Sequence, residues 1–242
     1  MKPVLLLIPG MLNTARIWSH VTPLLQDTAD IRIADVTTQA SIAEMARDAW
    51  ALVANVPPNR RLVVCGFSMG GYVALELIAT YLISNYSYST WAAALINTSG
   101  KAETPEGLLA RDKTIHAVER DFERVIQGIA QFGVHRDHHA DAILMAEALS
   151  IMREAGAQTA VRQLRAIKAR ADQRPLLPRI QARTLVVSAR DDAVVAPAAS
   201  EELAALIPHA SLEWLAPAGH MTPLEQPAAL ARAIATLLGT HL

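Results

Sequence analysis

The sequence predicts an α/β fold with a mostly parallel sheet of about six strands and helices on both faces. The first observation is that short apolar runs alternate with longer segments of helical periodicity. The second is that most of these runs are continuously apolar, as strands covered on both faces require. The predicted strands are 4–8, 31–36, 61–66, 91–97, 184–189 and, more weakly, 212–216, and the predicted helices are 42–53, 70–83, 198–206 and 227–238.

The third observation is a long region without a convincing strand. Residues 101–172 contain several helical patterns, including 117–132 and 160–170, and carry a higher charge density than their flanks. Charged, proline-containing stretches bound this region at both ends. We therefore expect a core formed by residues 1–100 and 173–242, interrupted by a helical insertion of residues 101–172.

Composition narrows the class of protein. Hydrophobic residues make up 52 % of the 242 residues, which is far too many for a disordered chain. The formal net charge is −1 and no Lys/Arg-rich tract is present, which argues against nucleic acid as a partner. Cys65 is the single cysteine, so no internal disulfide can form, and a reducing compartment fits.

Two apolar stretches raise the question of membrane insertion. The run 4–8 follows a lysine as in a signal peptide, but Pro9-Gly10 interrupts it and no clear cleavage site follows. Residues 77–100 carry no formal charge, yet 84–90 is a polar segment in their middle. We expect a buried strand in the first case and a helix, a loop and a strand in the second. The expected protein is cytoplasmic, without a membrane partner.

The sequence G-F-S-M-G, residues 66–70, matches the pattern G-x-S-x-G. It follows a predicted strand and opens a predicted helix, which is the context that this motif requires. So short a reversal forces the central Ser68 into a strained backbone conformation, and its neighbours two residues away must lack side chains. The alternative is a glycine-rich turn with a capping serine.

A nucleophilic serine needs a base and an orienting acid. When the serine lies on a strand-to-helix turn of this kind, the three residues occur along the chain in the order Ser, acid, His. His220 lies in a loop after the strand 212–216 and is the candidate base, the alternative being a solvated loop histidine. Asp191 and Asp192 lie just beyond the strand 184–189, so each is a candidate acid. Their alternative role is to cap the turn before Pro197.

Other residues near these motifs have candidate roles. An oxyanion needs donors, and the backbone N–H groups of Met69 and Met11 are the candidates. Trp18 and Phe67 lie beside the proposed site in the sequence, and they either line the substrate pocket or belong to the core. A second histidine cluster, His135, His138 and His139, has helical spacing, but a solvated helix face is favoured there over a metal site, and no metal is predicted.

Together these residues resemble the α/β-hydrolase superfamily, and more narrowly its cap-bearing carboxylesterase-like and lactonase-like serine hydrolases. The resemblance rests on LLLIPGMLNTARIW, CGFSMGGYVALEL, PLLPRIQARTLVVSARDDAVVAP and APAGHMTPLEQP, in the order typical of the family, and covers nearly the whole chain. It implies a sheet shortened to about six strands and places a helical cap at 101–172. The chain departs from it at Pro9, where many members have histidine.

The resemblance also assigns roles. It implies that Ser68 is the nucleophile and His220 the base. It favours Asp192 over Asp191 as the acid, because Ala189 then occupies the position three residues earlier where the family commonly has glycine. The cap would set the substrate, and its apolar content favours an uncharged or weakly polar one.

The implied activity is hydrolysis of a small carboxylic ester, thioester or lactone through an acyl-enzyme, with no metal or organic cofactor. The same motifs are compatible with C–C bond hydrolysis, perhydrolysis or cofactor-free oxygenation. A ligand-binding receptor built on the same fold is a further alternative. The expected partner is a small-molecule substrate, and homo-oligomerisation is left open.

Overall fold

In the computed structural model, which describes residues 1–83, 85–87 and 89–239, six strands form one parallel sheet in the order β2-β1-β3-β4-β5-β6. This confirms the predicted sheet. The strands are β1 Val4–Ile8, β2 Asp30–Ile33, β3 Leu62–Phe67, β4 Trp91–Ile96, β5 Arg183–Ala189 and β6 Ala210–Leu215.

Helices connect the strands and end the described chain. The α-helices are α1 Thr22–Leu25, α2 Ile42–Ala51, α3 Met69–Leu77, α4 Pro105–Arg120, α5 Phe122–Gly133, α6 Ala142–Ala155, α7 Ala157–Lys168, α8 Pro197–Leu206, α9 Thr222–Glu225 and α10 Pro227–Leu238. Short 3₁₀ turns lie at Ala15–Trp18, Arg136–His138 and Arg174–Arg179, and a π-helical turn extends α3 over Ile78–Leu82.

Alternate side chains of each central strand enter opposite layers of the core. In β1, Leu5 and Leu7 pack on one side of the sheet, whereas Val4, Leu6 and Ile8 pack on the other. Burial on both faces explains why the central strands are continuously apolar. The edge strand β6 alternates between partly buried and exposed residues, which explains its weaker signal in the sequence.

Two predicted elements differ in their bounds from the sequence pattern. The strand predicted for 31–36 ends at Ile33, and the carboxylate of Asp35 then accepts hydrogen bonds from the N–H and the hydroxyl of Thr37. The helical pattern 117–132 is divided at Asp121, whose non-helical backbone ends α4 and whose side chain caps α5 by accepting from the Arg124 N–H. In both places an aspartate side chain accepts from a backbone N–H that follows it in the chain, which favours a turn or a helix start there.

The helices α4 to α7, which we call the four-helix segment, lie between β4 and β5. Residues 101–172, all of which the structure describes, contain no strand. Helix α4 packs on α7, and α5 packs on α6. The division of the chain into a core and a cap remains a prediction.

Among the described residues, no helix is both long enough and apolar enough to cross a membrane. Two residues of the polar stretch 84–90, positions 84 and 88, lie outside the described part of the chain. Cys65 is buried in β3 with a free thiol, and burial raises the pKa of that thiol well above its ordinary range.

Candidate active site

Ser68 occupies the single position between the end of β3 and the start of α3. Its backbone has φ 53° and ψ −118°, an unfavourable conformation for a residue with a side chain. A Cβ atom at Gly66 would lie 2.2 Å from the carbonyl oxygen of Gly70, and one at Gly70 would lie 2.2 Å from that of Ile8. The tight reversal therefore requires Gly66, and the close approach of β1 requires Gly70. The turn presents Ser68 at the carboxyl edge of the sheet.

The structure joins Ser68, His220 and Asp192 by hydrogen bonds. Ser68 Oγ lies 2.9 Å from His220 Nε2, and His220 Nδ1 lies 2.9 Å from Asp192 Oδ2. Asp192 Oδ1 accepts the backbone N–H groups of Val194 and Val195. In this arrangement Nδ1–H donates to the carboxylate, and Nε2 is left to accept the proton of the serine hydroxyl.

The two neighbouring aspartates have different surroundings. The Asp192 residue is 5 % exposed and faces His220. The Asp191 side chain is 62 % exposed, and its Oδ2 lies 3.4 Å from Nε2 of His135. Of the two candidate acids, the fold therefore brings Asp192, the one that the family resemblance favoured, to His220.

Asn97, which the sequence analysis did not single out, supports the acid. It follows β4 with φ 46°, and its Nδ2 donates to Asp192 Oδ2 at 2.8 Å, while its Oδ1 accepts from the hydroxyl of Thr222. Its position at the carboxyl end of a buried strand was the one signal available for it. Asn97 thereby connects the loop after β4 with the loops that carry Asp192 and His220.

Asp192 keeps its charge despite being buried. Burial alone would raise the pKa of its carboxyl, but the hydrogen bond and charge of His220, with further bonds from the Val195 N–H and Asn97, outweigh this effect. The pKa of Asp192 is consequently held below its ordinary value. The carboxylate is therefore available to orient the imidazole and to stabilise its protonated form.

Two backbone amides beside Ser68 lack acceptors within the described chain. Met69 N–H is at the first position of α3, and Met11 N–H belongs to the loop after β1. A Cβ at Gly10 would lie 3.1 Å from the Cβ of Ser68, so this loop passes directly beside the serine. The predicted oxyanion donors and Ser68 all border one cavity.

The loop after β1 is attached to the four-helix segment. Leu12 has φ 58°, and its N–H donates to Oε1 of Gln163 in α7 at 2.8 Å. Nε2 of Gln163 donates to the carbonyl oxygen of Val36. The fully buried Gln163 thus holds the loop that carries the Met11 amide.

With this geometry established, the comparisons with known proteins decide the family. The family model described as "Alpha/beta hydrolase family" matches residues 5–233. The chain belongs to the alpha/beta hydrolase family. This confirms the resemblance to the α/β-hydrolase superfamily.

Solved structures of the family superpose over nearly the whole chain. A thermophilic esterase from Thermogutta terrifontis is 22 % identical, with a TM-score of 0.84, covering 99 % of this chain and 90 % of that one. The enol-lactonase from Burkholderia xenovorans LB400 is 20 % identical, with a TM-score of 0.84, covering 99 % and 92 %. A bromoperoxidase from Bacillus anthracis is 17 % identical, with a TM-score of 0.80, covering 98 % and 91 %. At these identities the likeness shows the shared fold.

The cavity that Ser68 borders has a volume of about 390 Å³. Its wall combines residues of the sheet end with residues of the four-helix segment and the chain leading into and out of it. The first group includes Met11, Asn13, Ser68, Met69, Tyr72 and His220, and the second includes Glu103, Arg111, Ile129, Met152, Ile167 and Arg170.

The two aromatic candidates for the pocket lie in the core of this hydrolase-family fold. Trp18 and Phe67 are fully buried and pack edge to face, with 6.3 Å between ring centroids. Neither residue lines the cavity. Phe67 instead packs against the ring of His220, with 5.3 Å between centroids, and supports it from the core side.

The histidine cluster differs from the expected solvated helix face. His135 is buried and His138 is largely buried, and both belong to a loop and a 3₁₀ turn after α5. The N–H of His135 and Nδ1 of His138 both bond to Oε2 of Glu225. The expectation was wrong because a buried carboxylate from another element pairs with this cluster. Within the described ranges, no three His, Cys, Asp or Glu residues are grouped so that they could hold a metal ion.

Proposed function

We propose that this protein is a serine hydrolase that cleaves a small carboxylic ester, thioester or lactone through an acyl-enzyme. The observation that carries the proposal is the unbroken hydrogen-bonded series from Ser68 Oγ through His220 to Asp192. The series borders a cavity together with two amides that have no acceptor among the described residues. Nucleophile, base, acid and oxyanion donors are the set that acyl transfer requires.

The proposed reaction begins at the serine hydroxyl. His220 Nε2 takes the proton of Ser68 as Oγ attacks the carbonyl carbon, and the Met11 and Met69 amides hold the resulting oxyanion. Collapse of this intermediate breaks the bond to the leaving oxygen or sulfur, which takes the proton from His220. In a lactone the leaving hydroxyl stays attached to the acyl chain.

Water completes the proposed cycle. His220 removes a proton from a water molecule, whose oxygen attacks the acyl carbon and forms a second oxyanion at the same amides. Collapse releases the carboxylic acid and returns the proton from His220 to Ser68 Oγ. Asp192 stays ionised throughout and orients the imidazole. The cycle balances without a metal or an organic cofactor.

We further propose that residues 101–172 form a cap that shapes the substrate site. The support is that Glu103, Arg111, Ile129, Met152, Ile167 and Arg170 contribute to the wall of the cavity that holds Ser68. Exchanging residues of this wall would then change the choice of substrate more than the chemistry. The loop attachment through Gln163 couples this region to the oxyanion donor at Met11.

The test combines turnover with active-site labelling. Wild type, Ser68→Ala and the control Ser211→Ala, an exposed serine on β6, are assayed with short and medium acyl nitrophenyl esters and simple lactones. We expect Ser68→Ala to lower kcat by about 10³-fold or more. We also expect a fluorophosphonate probe to modify Ser68 in wild type, as located by mass spectrometry.

Two results would contradict the proposal. One is full ester turnover by Ser68→Ala, and the other is a Ser68 that the fluorophosphonate does not modify. Modification of Ser68 without turnover of any ester or lactone would instead favour other chemistry of the same residues. C–C bond hydrolysis or perhydrolysis would then be tested by product analysis.

A further inference from the structure

Two arginines in the wall of the Ser68 cavity share one carboxylate. Nε of Arg111 and Nη1 of Arg170 both donate to Oε2 of Glu103, each at 3.0 Å. Burial alone would raise the pKa of Glu103, but the hydrogen bonds and charges of the two arginines hold it below its ordinary value. Two guanidinium charges therefore meet one carboxylate charge, and the cluster keeps an excess of one positive charge.

Both guanidinium groups keep N–H donors that no described residue accepts. Nη1 and Nη2 of Arg111 and Nη2 of Arg170 donate to no residue in the described part of the chain. The side chains are 30 % exposed for Arg111, 7 % for Arg170 and 13 % for Glu103. Positive charge that is this poorly hydrated gains more from an anion than the same charge at an open surface.

Arg170 is held rigidly next to the catalytic elements. Its Nε donates to the carbonyl oxygen of Lys101, and its Nη1 donates to that of Ile167, both at 2.9 Å. Its guanidinium also lies 4.3 Å from the ring centroid of Tyr72. Tyr72 follows Ser68 by four residues, so this contact places the arginine against α3, the helix that begins directly after the nucleophile.

Tyr72 adds a neutral donor to the same wall. Its hydroxyl makes no hydrogen bond to any described residue, although the side chain is buried and lines the cavity. Burial raises the pKa of Tyr72, with Arg170 opposing this effect, so the hydroxyl keeps its proton. Among the residues that line the cavity, all of them in the described chain, Glu103 is the only acid, and the Lys101 ammonium is paired with Glu202 at 3.3 Å.

We propose that Arg111 and Arg170 form a subsite for a carboxylate carried by the substrate, so that the substrate is an anionic ester or lactone. This specificity rests on the proposed hydrolase function. Paired guanidinium groups offer planar, charge-assisted hydrogen bonds that match a carboxylate. A cavity of about 390 Å³ suits a small molecule whose ester lies at Ser68 and whose carboxylate lies at the arginines. The proposal departs from the uncharged substrate that the apolar content of the insertion favoured.

A binding experiment tests the subsite without any catalytic step. Glutarate is titrated calorimetrically into Ser68→Ala and into the same protein with Arg111→Met added. We expect the added substitution to weaken glutarate binding by about tenfold or more, and added salt to weaken it as well. The matched control adds Arg124→Met, an exposed arginine on α5 that does not line the cavity, and keeps the affinity.

A kinetic experiment tests the specificity. The mono-4-nitrophenyl esters of glutarate and adipate are compared with 4-nitrophenyl pentanoate, and the rates with Ser68→Ala are subtracted. We expect Arg111→Met to lower the ratio of kcat/KM for the anionic esters to that for the neutral ester by about tenfold or more. Arg111→Lys, which keeps the charge but loses the planar fork, should keep part of the ratio.

The outcomes separate the subsite from the hydrolase function. Glutarate binding that is absent, or equally tight with and without Arg111→Met, overturns the subsite. So does a parallel loss on anionic and neutral esters, because that is the effect of an ion pair that only braces the fold. If no ester is turned over and Ser68 resists labelling, the hydrolase function fails, while the glutarate titration still reports on the arginines.

Discussion

The buried carboxylate of Glu225 accepts a hydrogen bond from Nδ1 of His138, with 2.8 Å between Oε2 and Nδ1. The same oxygen accepts the N–H of His135, and Oε1 accepts the N–H of Gly219, the residue before His220. The N–H of His220 in turn donates to the carbonyl oxygen of Gly133 at 2.7 Å. Glu225 therefore joins the end of α5 and the following turn to the loop that carries His220.

We expect Glu225→Gln to lower the free energy of unfolding by about 2 kcal/mol. An amide offers one acceptor oxygen where the carboxylate accepts at two, so a buried N–H of Gly219 or of the His135 turn is left without a partner. Urea unfolding measures the change. Glu201→Gln, an exposed glutamate on α8, is the control, and equal stability of the two variants would contradict the prediction.

Replacing each of the two neighbouring aspartates by asparagine should have unequal effects on kcat. We expect Asp192→Asn to lower kcat on a nitrophenyl ester by about 10³-fold or more, because His220 loses the acceptor that selects its productive tautomer. Asp191→Asn should stay within about twofold of wild type, since its side chain is exposed and does not contact His220. A larger loss in Asp191→Asn than in Asp192→Asn would contradict the assignment.

Gln163→Leu should impair catalysis from within the four-helix segment. The substitution removes the acceptor of the Leu12 N–H and the donor to Val36, which releases the loop that carries the Met11 amide. We expect kcat to fall by about tenfold or more with a smaller change in KM, since an oxyanion donor acts mainly in the transition state. Steady-state kinetics of Gln163→Leu are compared with Gln158→Leu, an exposed position on the same helix. Similar kcat values for the two variants would rule out this positioning role.

Stability should depend on the ionisation of Asp192. The folded protein holds the pKa of this carboxyl below its ordinary value of 3.8, so the unfolded chain takes up the proton first on acidification. The stabilisation is complete above the unfolded value and is lost as the pH falls through the folded one. The difference in unfolding free energy between wild type and Asp192→Asn should therefore shrink below about pH 4. Urea unfolding between about pH 2 and 6 tests this, and a constant difference would contradict it.

The features that the sequence alone determined depend on neighbours in the chain. Continuous apolar runs predicted the central strands because each of them buries both faces, and the edge strand β6 gave a weaker signal because one of its faces is exposed. The strained serine turn was predictable because so short a reversal needs glycine beside Ser68, and a Cβ at Gly66 would collide with Gly70 in the same turn. The pattern was less exact at element ends: Asp35 follows a strand shorter than the apolar run, and Asp121 divides a helical pattern in two, each side chain accepting from a nearby backbone N–H.

Tertiary structure decided whatever depends on elements distant in the chain. Position after β5 did not separate Asp191 from Asp192, although the family resemblance favoured Asp192. The packing of the loops after β5 and β6 is what directs Asp192 towards His220 and Asp191 towards His135. Packing also decides the partners of Glu225, which bonds to His138, 87 residues away in the chain. It likewise brings Arg111 and Arg170 to the carboxylate of Glu103. Trp18 and Phe67 were ambiguous because an aromatic side chain serves a core and a pocket equally well. Burial and partner choice follow from the three-dimensional placement of many elements, and no local pattern records them.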